Sequence, residues 1–260
     1  MQIKLYQLDA FTSQLFKGNP AAVCPLESWL DDKLLQSIAA ENNLSETVYI
    51  VPRHNDYHIR WFTPVCEVDL CGHGSLAASH VVMNILEPDR EYLTFYSASG
   101  PLHVEKKDGG FAMDFPASNF EACEVSELVK QALGIEPVEF YCNEKYMAVL
   151  ESEAQVRALQ PDMNLLMQLA LNSLVVTAQG EHVDFVSRFF APKEGIDEDP
   201  ATGSAHCLLA PYWSEKLGKA KLKAHQLSKR GGELLCEVKG DRVILAGKVK
   251  LYMSGSIELN

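Results

Sequence analysis

The 260-residue sequence lacks the features typical of membrane proteins and of nucleic-acid-binding proteins. No stretch approaches the roughly 18 consecutive apolar residues that a membrane-spanning helix needs. Its basic runs are as short as KLK and SKR, and the formal net charge is -12. Phosphate backbones and anionic lipids repel such a chain, so we expect a small-molecule ligand, with no nucleic acid and no membrane as partner.

The sequence also lacks a CxxC pair and a basic N-terminal segment followed by an apolar core. The opening MQIKLYQLDAF alternates polar and apolar residues like a strand, so we expect a cytoplasmic protein. A disulfide framework and a zinc site are both disfavoured, because an odd number of cysteines is scattered along the chain. The seven are Cys24, Cys66, Cys71, Cys123, Cys142, Cys207 and Cys236.

Two segments of the first half have clear helical patterns. Residues 31–43 place Leu34, Leu35 and Ile38 on one stripe behind two aspartates that suit a helix N-terminus. Residues 71–86, CGHGSLAASHVVMNIL, are apolar nearly all round, which indicates a helix buried on most sides. Between them, LSETVYIV and YHIRWF read as strands joined by a turn.

The chain repeats one order of elements. GHGSLAASHVV leads to LTFYSASGPLHVEKKDGGFAMDF, and ATGSAHCLLAP leads to LKAHQLSKRGGELLCEVKGDRVILAG. Each stretch reads as a Gly-Ser loop, an apolar helix and then strands joined by turns. We predict an α+β protein of two similar domains, each a mixed or antiparallel sheet curled around a central buried helix. The domains are residues 1–115, possibly joined by a strand at 250–260, and residues 116–250.

Each Gly-containing loop is a candidate anion site. A helix start presents backbone N–H groups and a partial positive charge, so residues 72–74 and 202–204 could hold carboxylates. The alternative for either loop is a simple tight turn. Asp197, Glu198 and Asp199 precede the second loop, which favours the helix dipole, but three acids exceed what capping needs. We expect at least one of them to face the ligand.

Glu46 is a candidate general acid/base with two open interpretations. If a strand begins near Leu44, alternation places Glu46 on one face with Leu44, Val48 and Ile50. Burial on that face would disfavour the charged carboxylate and suit proton transfer. If the face with Tyr49 is the buried one instead, Glu46 is solvated.

Three further side chains near the loops have both a chemical and a structural interpretation. His73 could exchange a proton or simply hydrogen-bond backbone at the helix start. Cys71 precedes the same helix, where the dipole and N–H groups would lower the thiol pKa and favour a thiolate. His206 lies within the second helix, and we favour a structural role for it.

The sequence resembles the phenazine-biosynthesis isomerase-like (PhzF-like) proteins, relatives of diaminopimelate epimerase. The resemblance runs through LDAFTSQLFKGNPAAV, NLSETVYI, RWFTPVCEVDLCGHGSLAA, SRFFAPKEGIDEDPATGSAHCLLAPYW and QLSKRGGELLCEV. It implies the two-domain fold above, commonly a homodimer, and acid/base chemistry on a carboxylic acid without a cofactor or metal. The catalytic residues that it implies are Glu46, His73, Asp199 and Ser204, and for Glu46 the resemblance favours the interpretation in which the side chain is buried. The substrate-binding residues are Asn19, Cys71, Gly72, Gly74, Thr202 and Gly203.

One position departs from the epimerase pattern. Diaminopimelate epimerases have a cysteine base in each half; Cys71 matches the first, but Pro200 stands where the second would be. We therefore expect an isomerase with Glu46 as proton carrier, acting on a small carboxylate-bearing substrate. Two alternatives remain: an epimerase or racemase using Cys71 with Glu46 or Asp199, and a non-catalytic small-molecule-binding protein of the same fold.

Overall fold

The computed structural model describes residues 1–259, which form two compact units. The first unit comprises Met1–Phe115 and the C-terminal segment that begins at Ile244, and the second comprises Pro116–Val243. The last strand therefore belongs to the unit that contains the first strand.

The first unit contains two helices, a π-helix and nine strands. The π-helix, Val81–Leu86, directly continues the second helix. In chain order the elements are β1 (Gln2–Ala10), β2 (Asn19–Pro25), α1 (Asp32–Asn42), β3 (Glu46–Arg53), β4 (Asp56–Phe62), β5 (Glu67–Val68), α2 (Gly72–His80), β6 (Tyr92–Ser97), β7 (Gly100–Lys107) and β8 (Gly110–Pro116), with β18 (Val249–Glu258) at the C-terminus.

The second unit has four helices and a short 3-10 turn at Pro192–Glu194. In chain order its elements are β9 (Glu121–Ala122), α3 (Glu127–Leu133), β10 (Glu139–Cys142), β11 (Tyr146–Val149), α4 (Glu153–Ala158), α5 (Met163–Leu166), β12 (Leu174–Gln179), β13 (Phe185–Ala191), β14 (Ile196–Asp199), α6 (Gly203–Leu217), β15 (Lys221–Gln226), β16 (Gly232–Lys239) and β17 (Arg242–Gly247), which begins in this unit.

The two units have the same strand pairing. In the first, β1–β2 is antiparallel, β2–β3 parallel and β3–β4 antiparallel; β4 then pairs antiparallel with β5 and parallel with β6. In the second, β10–β11 is antiparallel, β11–β12 parallel and β12–β13 antiparallel; β13 then pairs antiparallel with β14 and parallel with β15. The predicted α+β fold of two similar domains is confirmed.

The duplication extends to individual side chains. Arg60 on β4 binds both carboxylate oxygens of Glu67, at 2.7 Å each. Arg188 on β13 binds Glu198 in the same way, at 2.7 and 3.0 Å. Each guanidinium also lies 5.0 Å from the ring of the phenylalanine two residues further on. Bidentate arginine pairs fix two groups in one geometry, so each pair ties the strand before the helix to its neighbour.

The helix predicted over residues 31–43 is α1, at Asp32–Asn42. Asp31 caps it by accepting a hydrogen bond from the Lys33 N–H, and Asn43 ends it in the left-handed conformation. Its buried stripe, with Leu35 and Ile38, packs on one face of the sheet in a cluster that includes Tyr49. The sheet is thus covered on the face that α1 occupies.

The predicted all-round apolar helix is α2, whose residues 73–79 are all buried. It contacts β1, β2 and β3 on the face opposite α1, since its Gly74 lies against Val48 while Tyr49 bonds the Leu35 carbonyl of α1. In the second unit α6 has the same character, with Ala205 to Ala210 buried. Each sheet therefore has its own central helix.

Candidate functional site

Glu46 is the first residue of β3 and is buried, at 9% exposure. Both faces of this strand are covered, because residues 46 to 51 are all buried. The interpretation in which Glu46 is buried is confirmed, and burial of Tyr49 on the other face does not leave Glu46 in solvent. The strand also begins at Glu46 and not near Leu44, and Leu44 packs in the cluster on the Tyr49 side.

Glu46 is paired with His73. The His73 Nε2 atom lies 2.7 Å from Glu46 Oε2, and both side chains are nearly inaccessible. On the other side of the ring, Nδ1 lies 3.0 Å from the Asn19 Nδ2 atom. Asn19 starts β2, Glu46 starts the parallel neighbour β3 and His73 lies in the first turn of α2, so three element starts meet at one point.

The charge state of His73 is set by its partners. Burial by itself lowers the pKa of His73, but Cys71 and Glu46, through their charges and their hydrogen bonds to the ring, raise it well above its ordinary value. The Asn19 amide nitrogen is a donor, so His73 accepts from it at Nδ1, and the ring proton at Nε2 points to Glu46 Oε2. The site is suited to holding a carboxylate in one fixed orientation.

Cys71 is the N-cap of α2, and its sulfur accepts a hydrogen bond from the Gly74 N–H at 3.2 Å. The sulfur also lies 3.5 Å from His73 Nδ1. Burial, reinforced by the charge of Glu46, raises the Cys71 pKa to about 11, although His73 and the Gly74 N–H act in the opposite direction. The pKa of Cys71 is thus raised and not lowered as the helix start alone would predict, so the chemical interpretation of Cys71 as a thiolate is not supported.

Glu46, Cys71 and His73 each offer one atom that can bind a transition metal, and these atoms all lie within 4.8 Å of one another. Two ligands with bonds of about 2.0–2.1 Å to a tetrahedral zinc ion would stand about 3.3 Å apart. The Nε2–Oε2 distance of 2.7 Å is instead that of a charge-assisted hydrogen bond. We interpret the cluster as a proton-sharing pair with an adjacent thiol.

The second unit brings together Asp199, Thr202 and Gln226. The Thr202 hydroxyl donates a short hydrogen bond to Asp199 Oδ2. The Thr202 N–H donates to Gln226 Oε1 at 2.8 Å. Gly203 begins α6 directly after Thr202, and Ser204 is exposed on the first turn. Asp199 and Thr202, both predicted site residues, thus form one hydrogen-bonded group.

The three acids before α6 have different environments. Glu198 is bound to Arg188, Asp199 is buried beside Thr202, and Asp197 is exposed. Glu198 therefore serves the strand framework that both units share. The concentration of negative charge combines one framework residue, one exposed residue and one candidate site residue.

Two N–H groups at the predicted anion sites are bonded within the protein. Gly74 N donates to the Cys71 sulfur, and Thr202 N donates to Gln226. These two donors are therefore not open to an anion, whereas the prediction of an anion site at each helix start stays a prediction. A side chain reaches each of these donors, so an anion at either helix start would have to use the neighbouring N–H groups.

Comparison with known proteins agrees with this architecture. Residues 8–256 match the family of phenazine biosynthesis-like proteins. The chain belongs to this family. It is 48% identical to an uncharacterized isomerase of Pseudomonas aeruginosa over 259 residues, covering 100% of both chains. It matches the crystal structure of a PhzF-family protein from Enterococcus faecalis with TM-score 0.97 and 46% identity, again over 100% of both chains.

A predicted epimerase of Pseudomonas aeruginosa, at 21% identity and TM-score 0.76 over 99% of this chain and 100% of that one, shares the fold. The resemblance to phenazine biosynthesis-like proteins is thus confirmed for family and fold. Among the described residues of this family member, no helix is both long enough and apolar enough to cross a bilayer.

His206 and Gln226 complete the site region of this phenazine biosynthesis-like protein. The His206 Nδ1 atom lies 2.8 Å from the Thr202 carbonyl, and burial lowers the His206 pKa to about 4. His206 is thus a neutral structural residue, in line with the favoured interpretation. Gln226 was missed as a site residue; its only sequence signal was its position at the head of the QLSKRGGELLCEV motif.

Proposed function

We propose that the protein is a cofactor-independent isomerase that moves a proton on a small carboxylate-bearing substrate, with Glu46 as general acid/base. The observation that carries the proposal is the buried Glu46–His73 pair with its 2.7 Å contact. A carboxylate in this position is oriented and shielded from water, as a proton carrier needs to be. The Pseudomonas relative is described as an uncharacterized isomerase, which agrees with this reaction class.

In the proposed step, Glu46 takes a proton from a carbon next to a carboxylate or a conjugated system. The C–H bond breaks, its electron pair shifts into the conjugated system, and the proton returns from Glu46 to another carbon. His73 holds Glu46 Oε2, so we assign the remaining oxygen, Oε1, to the substrate. Asn19 and Cys71 line the ring of His73 and keep it in place.

The residues of the second unit are proposed to bind and polarise the substrate. Asp199 would accept hydrogen bonds from polar substituents of the substrate, and Ser204 would donate to them. Thr202 and Gly203 would form the helix start at which an anionic group binds. At α2, Gly72 and Gly74 would leave room for an anionic group, which would bind the N–H groups other than that of Gly74, because the Gly74 N–H donates to the Cys71 sulfur. The small size of both glycines suits a close backbone approach.

An epimerase or racemase with Cys71 as base is the second candidate. It is favoured by the 3.5 Å approach of the Cys71 sulfur to His73 Nδ1, although the imidazole could take the thiol proton only in its neutral form. It is disfavoured by the raised Cys71 pKa and by Pro200 at the place of a second thiol. The third alternative is a binding protein of the same fold without turnover.

The test is deuterium uptake from solvent into a panel of small conjugated and α-substituted carboxylic acids. Glu46→Gln keeps shape and hydrogen bonding but cannot titrate, so we expect uptake to fall at least ~100-fold. Cys71→Ser is the matched control in the same cluster, and we expect it to retain most of the uptake. The reverse ranking, with loss of configuration at the labelled carbon, would favour the epimerase. Binding without uptake in the wild-type protein would favour the binder.

A further inference from the structure

Gln226 is a buried polar side chain for which the proposed function has no role so far. It is the last residue of β15, where it pairs with Ser187 on the neighbouring strand β13, and its exposure is 1%. A buried amide has two donors and one acceptor oxygen that all need partners. Its partners lie 24 to 27 residues earlier in the chain.

The hydrogen bonds of Gln226 fix which way its amide points. The amide oxygen accepts from the Thr202 N–H at 2.8 Å, and the amide nitrogen donates to the Asp199 carbonyl at 2.7 Å. A backbone N–H can only donate and a carbonyl can only accept, so a flipped amide would lose both bonds. The second N–H of the amide then points to the Thr202 hydroxyl oxygen, at 3.1 Å.

The next bond in the chain uses the same hydroxyl. The Thr202 hydroxyl has a single proton, and its oxygen receives an N–H from Gln226. The proton is therefore free to be donated to Asp199 Oδ2, which is the contact that the structure contains. The result is a directed chain from Gln226 through Thr202 to the Asp199 carboxylate.

We propose that Gln226 is a positioning residue, which presents the Asp199 carboxylate to the substrate by holding the Thr202 hydroxyl where it donates to that carboxylate. This inference rests on the proposed role of Asp199. In this proposal Gln226 acts through Thr202 and is not itself a substrate contact. The substrate would meet a carboxylate held in one orientation, which lowers the reorganisation needed in the transition state.

Ser228 provides a matched control for simple anchoring of the same loop. Its hydroxyl donates to the Pro200 carbonyl at 2.8 Å and accepts from the Gly231 N–H at 3.0 Å. Ser228 therefore binds a backbone carbonyl of the segment between Asp199 and Thr202. The bond to the Thr202 hydroxyl oxygen is made by Gln226. If Gln226 only anchors the loop, the two residues should be equivalent.

The experiment compares Gln226→Met, Ser228→Ala, Thr202→Val and the Gln226→Met/Thr202→Val double variant in the deuterium-uptake assay. We expect Gln226→Met to lower kcat about tenfold while KM changes less than about threefold, because the bond that it orients counts mainly in the transition state. Ser228→Ala should stay within about twofold of wild type. The double variant should be no slower than Thr202→Val alone, since both changes break one chain.

Equal effects of Gln226→Met and Ser228→Ala, or losses that multiply in the double variant, would overturn the inference. If Gln226→Met does not fold, Gln226→Glu takes its place, since it keeps the acceptor for the Thr202 N–H and loses both donors. A readout without turnover separates this inference from the proposed function. The buried Thr202 hydroxyl proton should give a slowly exchanging NMR resonance that survives in Ser228→Ala and is lost in the Gln226 variants; its persistence there would refute the chain even if no acid is turned over.

Discussion

The stability of the second unit should depend on pH through His206, a neutral histidine within α6. Its Nδ1 bonds the Thr202 carbonyl at 2.8 Å, so Nδ1 carries the proton, and its Nε2 atom is buried without a partner among the described residues. The ring lies 5.7 Å from that of Phe185. A second proton would place a charge on Nε2 in this apolar setting, which is why burial lowers the pKa to about 4.

The sign and size of the effect follow from linkage. The folded pKa is below the unfolded value of 6.5, so the unfolded chain binds the proton more readily. The contribution is fully present above pH 6.5 and is lost as pH falls towards 4. Integrating the proton difference from pH 7.5 to pH 5 gives a loss of about 2 kcal/mol in the free energy of unfolding, rising to ~3 kcal/mol below pH 4.

The assay is urea unfolding at pH 7.5, 6 and 5 of the wild-type protein and of His206→Asn. The asparagine can still donate to the Thr202 carbonyl but does not titrate, so the other titrating groups cancel in the difference between the two curves. We expect His206→Asn to be less stable than wild type at pH 7.5 and to lose about 2 kcal/mol less on going to pH 5. Parallel curves would refute the assignment of a buried neutral imidazole.

Three further predictions concern the start of α2. Gly74→Ala should destabilise the protein by about 1–2 kcal/mol in urea unfolding, because the new Cβ would meet three side-chain atoms at 2.8, 2.9 and 3.1 Å and the strain outweighs the gain in helix propensity. Gly255→Ala, which meets no atom within 4 Å, should have little effect. The raised His73 pKa contributes stability that is present below pH 6.5 and is lost as pH rises through the folded value, so His73→Gln should flatten the decline above neutral pH. Iodoacetamide at pH 8 should label the exposed Cys66 and spare Cys71, whose pKa is raised to about 11, as read by peptide mass spectrometry; equal labelling would contradict a buried thiol.

The spacing of apolar residues was sufficient to predict those elements that are buried on one side only. The stripe in residues 31–43 predicted α1 because one face of that helix meets the sheet and the other meets water. The same reasoning could not place Glu46. Its strand lies between α1 on one face and α2 on the other, so alternation carries no information about which face is buried. Only the resemblance pointed to a buried Glu46.

The electrostatic state of the site depended on contacts between distant parts of the chain. A cysteine at a helix start ordinarily has a lowered pKa, and that local rule failed for Cys71 because burial and a carboxylate 25 residues earlier dominate. The Thr202 N–H was expected to be open to an anion, but a side chain 24 residues later reaches it. The sequences of the two loops therefore do not predict these partners, which are Glu46 for Cys71 and Gln226 for Thr202.

The two helix starts use the same scaffold for different purposes. At α2 the N-cap side chain satisfies its own helix, since the Cys71 sulfur accepts from the Gly74 N–H. At α6 the N-cap side chain makes no such bond: the Thr202 hydroxyl donates to Asp199, and its oxygen accepts from Gln226 instead of from the helix. That helix start is therefore held from outside, by Gln226 at the Thr202 N–H. The Thr202 hydroxyl donates its one proton to Asp199 and accepts from Gln226, and the same glutamine accepts from the Thr202 N–H. The bond to Asp199 and the buried Gln226 therefore belong to one hydrogen-bonded group.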